Sequence, residues 1–357
     1  MNKSVLVALS GGIDSAAALY KLKNDGFEVR CITFMMWQHN GVNINKDEVD
    51  RAADICKKLD VPHESVNVYD EFKKSVVEYF VDEYFAGKTP NPCVRCNNTI
   101  KWKLLLSYAD KYDFSYVSTG HYANIFKDKA NSRYGIRKGK YEDKEQSYAL
   151  WKLSQSALER TVLPLGDFAK EECRELVKSS GLITEQIPES QDICFIPDND
   201  YRGFLCSYAP DRVRNIEKGK VVDDTGNLLG YHDGFYNFTV GQRKGLGISS
   251  GNRRYVKSVD ADNNQVVLTD NEGLMSRGMF IEDVNWVSLP PYNNKVEGVV
   301  KIRYNHKGVE CEMEPIEDGI WRALFQKPQR AVTPGQSAVL YQDEVLVLGG
   351  VIRESIF

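Results

Sequence analysis

The chain has 357 residues, 42% of them hydrophobic and 27% charged, with a formal net charge of −4. That length suits two or three domains with separate cores, and the mild acidity excludes binding to nucleic acid through overall basic charge, so such a partner must use local patches. No run reaches the roughly 18 apolar residues of a membrane span. Met1-Asn2-Lys3-Ser4 enters an apolar segment without the layout of a secretory leader, so a cytoplasmic address and no membrane partner are expected.

Through about residue 125, apolar strands alternate with helical patterns, the signature of an α/β domain with a parallel sheet wrapped by helices. Val5–Leu9, Glu28–Met36, His63–Val68 and Tyr116–Gly120 read as strands. Asp14–Asn24, Asp47–Leu59, Asp70–Tyr84 and Asn98–Tyr112 read as helices, with apolar residues at three- and four-residue intervals. Ligands of such sheets gather beyond the carboxyl ends of the strands, where Ser10–Ser15, Phe34–Trp37 and Gly120–His121 fall. From Phe168 to Tyr208 the pattern is mainly helical, interrupted by the polar loop Glu189–Phe195. Short β-rich runs follow at Lys220–Val222, Phe235–Thr239, Arg254–Val259, Gln265–Leu268, Val296–Tyr304, Ala338–Leu340 and Val345–Val351, as expected of one or two small β-barrels. The expected division is a catalytic domain with a helical connector over residues 1–210, a central barrel over 211–276 and a C-terminal barrel over 277–357.

The run Ala8-Leu9-Ser10-Gly11-Gly12-Ile13-Asp14-Ser15 links the first strand to the first helix. Two glycines let the backbone approach an anion, Ser10 and Ser15 add hydroxyl donors, and the amides opening the helix supply an electropositive end. S-G-G alone is equally an ordinary tight turn. The full S-G-G-x-D-S string resembles the pyrophosphate loop of ATP-pyrophosphatases, which implies ATP cleaved between its α and β phosphates. No Gly-Lys-Ser/Thr follows, so it is not a Walker A loop.

Eight cysteines without an extracellular signal read as thiols that are buried, metal-bound or catalytic. Cys93-Val94-Arg95-Cys96 ends a proline-stiffened stretch, Thr89-Pro90-Asn91-Pro92, which reads as a loop presenting a reactive sulfur without burying it. The C-x-x-C spacing admits a redox pair, half of a zinc site or two ligands of an iron–sulfur cluster. Cys194, in a polar loop before an apolar turn, is the next candidate. Cys31, Cys56, Cys173, Cys206 and Cys311 fall in strand or helix patterns and read as small core residues. Three basic clusters (Arg133, Arg137, Lys138, Lys140, Lys144; Arg243, Lys244, Arg253, Arg254, Lys257; Lys301, Arg303, His306, Lys307) each read singly as a solvated loop.

Taken in order, S-G-G-I-D-S, T-P-N-P-x-x-x-C-N, S-T-G-H-Y, S-Q-D-I-C-F-I, G-Q-R-K-G-L-G, K-I-R-Y and T-P-G-Q-S-A-V-L-Y resemble the bacterial tRNA-specific 2-thiouridylases over nearly the whole chain. The resemblance implies ATP-dependent replacement of the C2 oxygen of the wobble uridine by sulfur, in tRNAs for Lys, Glu and Gln. It implies ATP with Mg²⁺, tRNA as partner, and an upstream sulfur-carrier or desulfurase protein. It also implies a persulfide carried on Cys194, with Cys96 as the second thiol and a disulfide between them left after transfer. Matching positions assign Ala8 to Ser15, Met35 and Gly120 to ATP; Asn91, Pro92 and Cys93 to the target base; and His121, Lys144, Glu145, Gln146, Arg303, Tyr304 and Gln336 to tRNA.

One position departs from the family pattern, because many members carry Asp where this chain has Cys93. Cys93, Cys96 and Cys194 then resemble the trio with which related enzymes hold a [4Fe-4S] cluster, while Cys93 as a spare thiol beside a persulfide site stays open. Two readings from other classes also stand. One is an ATP-pyrophosphatase forming a carbon–nitrogen bond on a small metabolite, which would have no use for Cys96, Cys194 or the β-rich end; the other is a tRNA-binding protein with a degenerate nucleotide loop.

Overall fold

The computed structural model describes residues 3–39, 42–43, 46–183, 193–248, 253–317 and 319–357. A parallel five-stranded sheet forms the first layer, in the order His63–Asn67, Glu28–Met35, Ser4–Ala8, Tyr116–Ser118, Thr161–Val162. Val5 pairs with Val29 on one side and Tyr116 on the other. The Val5-Leu6-Val7 run is wholly buried because both faces are covered. Val5 and Val7 pack with Ala16, Leu19 and Ile55 from the helices Ile13–Asn24 and Lys46–Leu59, while Leu6 packs with Trp102 and Leu105 on the opposite face. From Ser4–Ala8 the chain builds outwards through Glu28–Met35 to His63–Asn67 and then returns to the other side with Tyr116–Ser118. The loop after Ser4–Ala8 therefore opens at the point where strand order reverses, the usual ligand crevice of such sheets.

The third and fourth helices differ from expectation. Tyr69–Phe72, Lys73–Val77 and Glu78–Phe85 follow one another without a break, the middle piece being π-helical. Pro92–Cys96, the π-helical Asn97–Trp102 and Lys103–Lys111 do the same. The expected loop around Cys93 and Cys96 is thus helix: Pro92 stands at its first turn, where its missing N–H is harmless, and the Asn91 side-chain oxygen accepts from Val94 N at 3.3 Å.

The β-rich end holds two units. Leu228–His232, Gly219–Asp223, Gln265–Thr269 and Tyr255–Asp260 form one sheet. Met275–Trp286, Ile320–Arg330, Val309–Glu317, Val296–Lys301, Ser337–Gln342 and Val345–Ile356 form the other, and pairing of the first with the last closes it into a six-stranded barrel. The Phe235–Thr239 run expected as a strand is instead a 3₁₀ turn at Phe235–Asn237, because its aromatic rings plug the core between units instead of alternating across a sheet. An unexpected hairpin, Ala123–Lys127 with Tyr134–Lys138, leaves the N-terminal domain and extends the C-terminal sheet through Ile136 paired with Leu346. Its Arg133 donates to Trp286 O at 2.8 Å and to Val287 O at 3.3 Å, which commits that arginine to the interdomain seam. Among the described residues no helix is long and apolar enough to cross a membrane.

Candidate active site

The nucleotide loop is held open by its own hydroxyls. Ser15 Oγ donates to Gly12 O at 3.0 Å, accepts from Ser10 N at 3.1 Å and lies 3.1 Å from Ser10 Oγ. Gly11 has φ +76°, and a Cβ there would lie 2.1 Å from Glu48 O, so only glycine fits. Thr33 Oγ1 donates to Leu9 O at 2.6 Å, and Leu9 N to Ile32 O at 2.9 Å, which ties the loop to the neighbouring strand. Asp14 Oδ1 accepts from Lys170 Nζ at 2.5 Å and Tyr122 Oη at 2.6 Å. Gly120 abuts the same helix start, its Cβ position being 2.7 Å from Asp14 C, and Met35, half-buried, ends the adjoining strand. Ala8, Leu9, Ser10, Gly11, Gly12, Ile13, Asp14, Ser15, Met35 and Gly120 thus lie at the carboxyl end of the sheet, Leu9 and Ser15 being buried there.

An electrostatic link runs from Gly120 and His121 to the thiols through Lys101. His121 follows Gly120, lies 2.7 Å through Nδ1 from Thr119 Oγ1, and sets its ring 5.5 Å from that of Trp102. Burial, helped by the Lys101 ammonium, pushes the His121 imidazole down to about 3, so it is neutral at physiological pH. The same ammonium acts on Cys96 and Cys194. Burial pushes the Cys96 thiol up to about 11 against the pull of Lys101, and pushes Cys194 up to about 12, with Cys96 and Cys93 adding to the rise. Cys93, Cys96 and Cys194 therefore share one electrostatic environment although Cys194 is far away in sequence. Cys194 is exposed, whereas Cys96 is buried.

Two devices place these sulfurs. The π turn Asn97–Trp102 begins just after Cys96, and because π hydrogen bonds close five residues apart, it brings Lys101 round towards the Cys96 face; an α-helix would swing it about 140° away. Cys194 is anchored by its neighbour: the buried Phe195 ring stands edge-on to Phe80 at 5.3 Å and Phe72 at 5.8 Å, and Ile196 N donates to Ile193 O at 3.0 Å. Lys101, Tyr122, Lys170 and Phe195 were all missed by sequence reasoning. A lysine five residues from a cysteine carries no signal unless the π turn is known, and Phe195 reads only as one more apolar residue.

The proposed tRNA residues divide. Tyr304 is 41% exposed, and burial of its hydroxyl end, with the Glu145 carboxylate and Cys93 nearby, pushes it up to about 12; this puts the barrel surface beside the sulfur site. Its ring lies 6.1 Å from Tyr148, and Arg303 adjoins it. Glu145 is only 5% exposed and accepts from Ser147 N, while Gln146 exchanges hydrogen bonds with Tyr122, donating to its carbonyl at 2.9 Å and accepting from its amide at 3.0 Å. These two brace the segment beside Lys144 from within. Gln336 Nε2 is directed inwards too, donating to Thr89 O at 3.1 Å and Pro90 O at 3.0 Å.

Among the described residues, no group of three or more His, Cys, Asp or Glu side chains is arranged to hold a metal ion. Cys93, Cys96 and Cys194 thus do not fit a [4Fe-4S] cluster in this arrangement. No disulfide joins any of the cysteines. Cys31, Cys56, Cys173 and Cys311 are buried as expected, but Cys206 is exposed, because it lies on the open side of the helix Tyr201–Tyr208. The expected loop Glu189–Phe195 lies outside the described residues up to Asp192.

Residues 3–198 match the family described as tRNA methyl transferase HUP domain, 202–270 the tRNA methyl transferase PRC-barrel domain and 276–352 the aminomethyltransferase beta-barrel domain. The tRNA-specific 2-thiouridylase MnmA of Lachnoclostridium phytofermentans is 40% identical, covering 98% of this chain and 99% of that protein. MnmA 1 of Clostridium botulinum strain Loch Maree is 42% identical over 99% of this chain and 100% of its own, and MnmA of Clostridioides difficile 39% over 100% and 99%. With these matches to family models and this likeness along the full length, the chain belongs to the tRNA-specific 2-thiouridylase family.

Proposed function

We propose that this chain is a cytoplasmic tRNA-uridine 2-sulfurtransferase that adenylates the wobble uridine of tRNAs for Lys, Glu and Gln and then delivers sulfur to C2. The observation that carries the reading is that Gly120 abuts the start of the helix after the Ser10–Ser15 loop, while the next residue, His121, lies in the field of the same Lys101 ammonium that acts on Cys96 and Cys194. A ring carbonyl oxygen is a poor leaving group. Attack of O2 on the α-phosphate of ATP expels pyrophosphate and leaves an adenylate whose AMP can depart. Mg²⁺ bound with the phosphates would neutralise the departing pyrophosphate, and the Asp14 carboxylate in the loop would be the group to hold it.

The sulfur would come as a persulfide on Cys194, loaded by an upstream sulfur-carrier or desulfurase. In one order of events its outer sulfur attacks C2, AMP leaves, and the Cys96 thiolate then attacks Cys194 Sγ, breaking the S–S bond to release 2-thiouridine and forming a Cys96–Cys194 disulfide. In the other, Cys96 attacks first and the freed sulfide attacks C2. A reductant restores both thiols in either case. Both thiols are raised by burial, so they rest protonated, and Lys101 is the one described cation whose field acts on both and opposes that rise. Asn91, Pro92 and Cys93 would line the extruded base, Tyr304 and Arg303 would meet the anticodon loop together with Lys144, and the three-part division assigns ATP chemistry to residues 1–210 and tRNA holding to 211–276 and 277–357. A methyltransferase, as the family description words it, would leave the pair of thiols without a role.

The deciding experiment combines pyrophosphate release with 2-thiouridine formation on unmodified tRNA, for the unmodified chain, Cys96→Ala and Cys194→Ala. Thiolation should vanish in both variants while pyrophosphate release persists. Release dependent on a small amine instead of tRNA would identify a carbon–nitrogen ligase, and tRNA binding without any release would identify a degenerate nucleotide site.

A further inference from the structure

The helix carrying Cys93 and Cys96 is tied to the C-terminal barrel at its stem. Thr89 N donates to Pro334 O at 2.9 Å, and Gln336 Nε2 donates to Thr89 O at 3.1 Å and Pro90 O at 3.0 Å. Two carbonyl oxygens admit only the nitrogen of the Gln336 amide between them, so the orientation of that side chain is chemically determined. Gly335 presses against the same residue: at φ +89° its Cβ position lies 2.7 Å from Thr89 O. The turn is rigid from behind, because Gly335 N donates to Ile352 O and Ile352 N to Gln336 O, both at 2.8 Å, on the barrel's last strand.

The next residue after Pro90 is Asn91, whose side chain caps the helix, and Asn97 on that helix donates to Ala149 O at 3.0 Å. The segment carrying Ala149 is itself bound to the barrel, Tyr148 Oη donating to Ser337 O at 2.8 Å and Trp151 Nε1 to Ser337 Oγ at 3.0 Å. Between these ties Val94 is buried and shares one apolar cluster with Trp151 and the barrel residues Val339, Tyr341 and Leu346, while a cleft of about 340 Å³ runs along Arg95, Lys152 and Ser337. Packing thus holds the helix against the barrel, and the hydrogen bonds at its stem add direction to that contact.

We propose that Gln336, with the Pro334–Gln336 turn, is a positioning residue for sulfur transfer: it sets the height and direction of the Cys93/Cys96 helix instead of serving as a tRNA contact. The role rests on the thiolation reading above, and a barrel that holds RNA on its outer face would thereby register the acceptor base against the sulfur. The amides of Gln336 are occupied inside the protein, whereas a side chain kept for RNA would point outwards. Loss of two donors from one stem should loosen the helix without touching the Ser10–Ser15 loop.

The test uses the full-length chain with Gln336→Ala and Gln336→Glu, the latter directing a carboxylate oxygen at two carbonyls. Hydrogen exchange of amides 92–97 in tRNA-free protein should quicken in both, more in Gln336→Glu, and the turnover number for thiolation should fall about tenfold or more. The KM for ATP and the dissociation constant for tRNA should stay within about twofold, differences of that size lying inside ordinary surface effects. Gly335→Ala, which drives a methyl group into the Thr89 carbonyl, should reproduce the phenotype by a different route. Unchanged exchange at 92–97, or weakened tRNA binding with turnover retained, would overturn the proposal and return Gln336 to the RNA surface. If the unmodified chain fails to thiolate at all, the functional reading falls, while the exchange measurement still decides whether the turn positions the helix.

Discussion

Replacing Gly11 by alanine separates two costs that glycine avoids in the nucleotide loop. The first is conformational: φ +76° places an L-residue in the left-handed region, at about 1–2 kcal/mol. The second is steric. The new Cβ would sit 2.1 Å from Glu48 O, so the loop or the helix Lys46–Leu59 must give way by about 1 Å to reach ordinary contact, and Glu48 O is backbone in the first turn of that helix. A 1 Å displacement of positioned donors is enough to cost about 100-fold in a reaction that depends on alignment. Gly26→Ala is the matched control: its φ is +80°, yet nothing lies within 4 Å of the added methyl. Gly26→Ala should lower stability by about 1–2 kcal/mol, read from denaturant unfolding, and leave the KM for ATP unchanged. Gly11→Ala should carry a similar stability loss and, in addition, depress pyrophosphate release by about 100-fold through a raised KM for ATP, a lowered turnover number or both. Wild-type pyrophosphate kinetics in Gly11→Ala would refute the argument that the close approach to Glu48 shapes the phosphate site.

Other outcomes follow from the same site. Phe195→Ala should destabilise by about 3–5 kcal/mol, the range for losing a buried aromatic ring, and iodoacetamide should label Cys194 faster once its anchor is gone. Lys101→Met removes the cation that lowers both thiols, so the pH profiles for alkylation of Cys96 and Cys194 should move to higher pH; a shift in the opposite direction would contradict the assigned field. His121 is held neutral with its imidazole lowered from 6.5 to about 3, so its contribution to stability is present above pH 6.5 and is lost as pH falls towards 3. In His121→Gln one proton should disappear from the linkage slope across that window, measured by unfolding at a series of pH values. Substituting Lys301, Arg303 or Lys307 should weaken tRNA binding and flatten its dependence on salt, as measured by filter binding from low to moderate ionic strength.

The parts of this fold that were readable are those in which local chemistry and global packing agree. Val5–Ala8 is apolar on every side because helices cover both faces, and its run ends in a turn whose residues suit an anion; strand, loop and helix were all visible. Thr161–Val162, by contrast, is a two-residue strand with no periodicity of its own, made a strand only by Val117 and Ser118 beside it. Proline-rich Thr89–Pro92 suggested a loop, whereas Pro92 begins a helix that Asn91 caps, so the thiols stand on a helix and Cys96 is buried. The cysteines themselves were legible as a pair of candidates, since a reactive sulfur needs few neighbours in sequence. The charge that acts on both was not, because Lys101 follows Cys96 by a π turn and acts on Cys194 across the fold. Gln336 was expected to meet tRNA, and its hydrogen-bond partners, Thr89 and Pro90, were not legible because they lie in a different domain.

The hairpin Ala123–Lys138 interlaces the two ends of the polypeptide. Ile136 finds its partner Leu346 only after more than half of the chain has been made, so during synthesis the outer strand edge of the early domain must wait, open, for the last strands of the barrel. The strand, loop and helix that open the chain can thus be assembled early, but the seam that ties this domain to the barrel is completed last, and a truncated product would lack it.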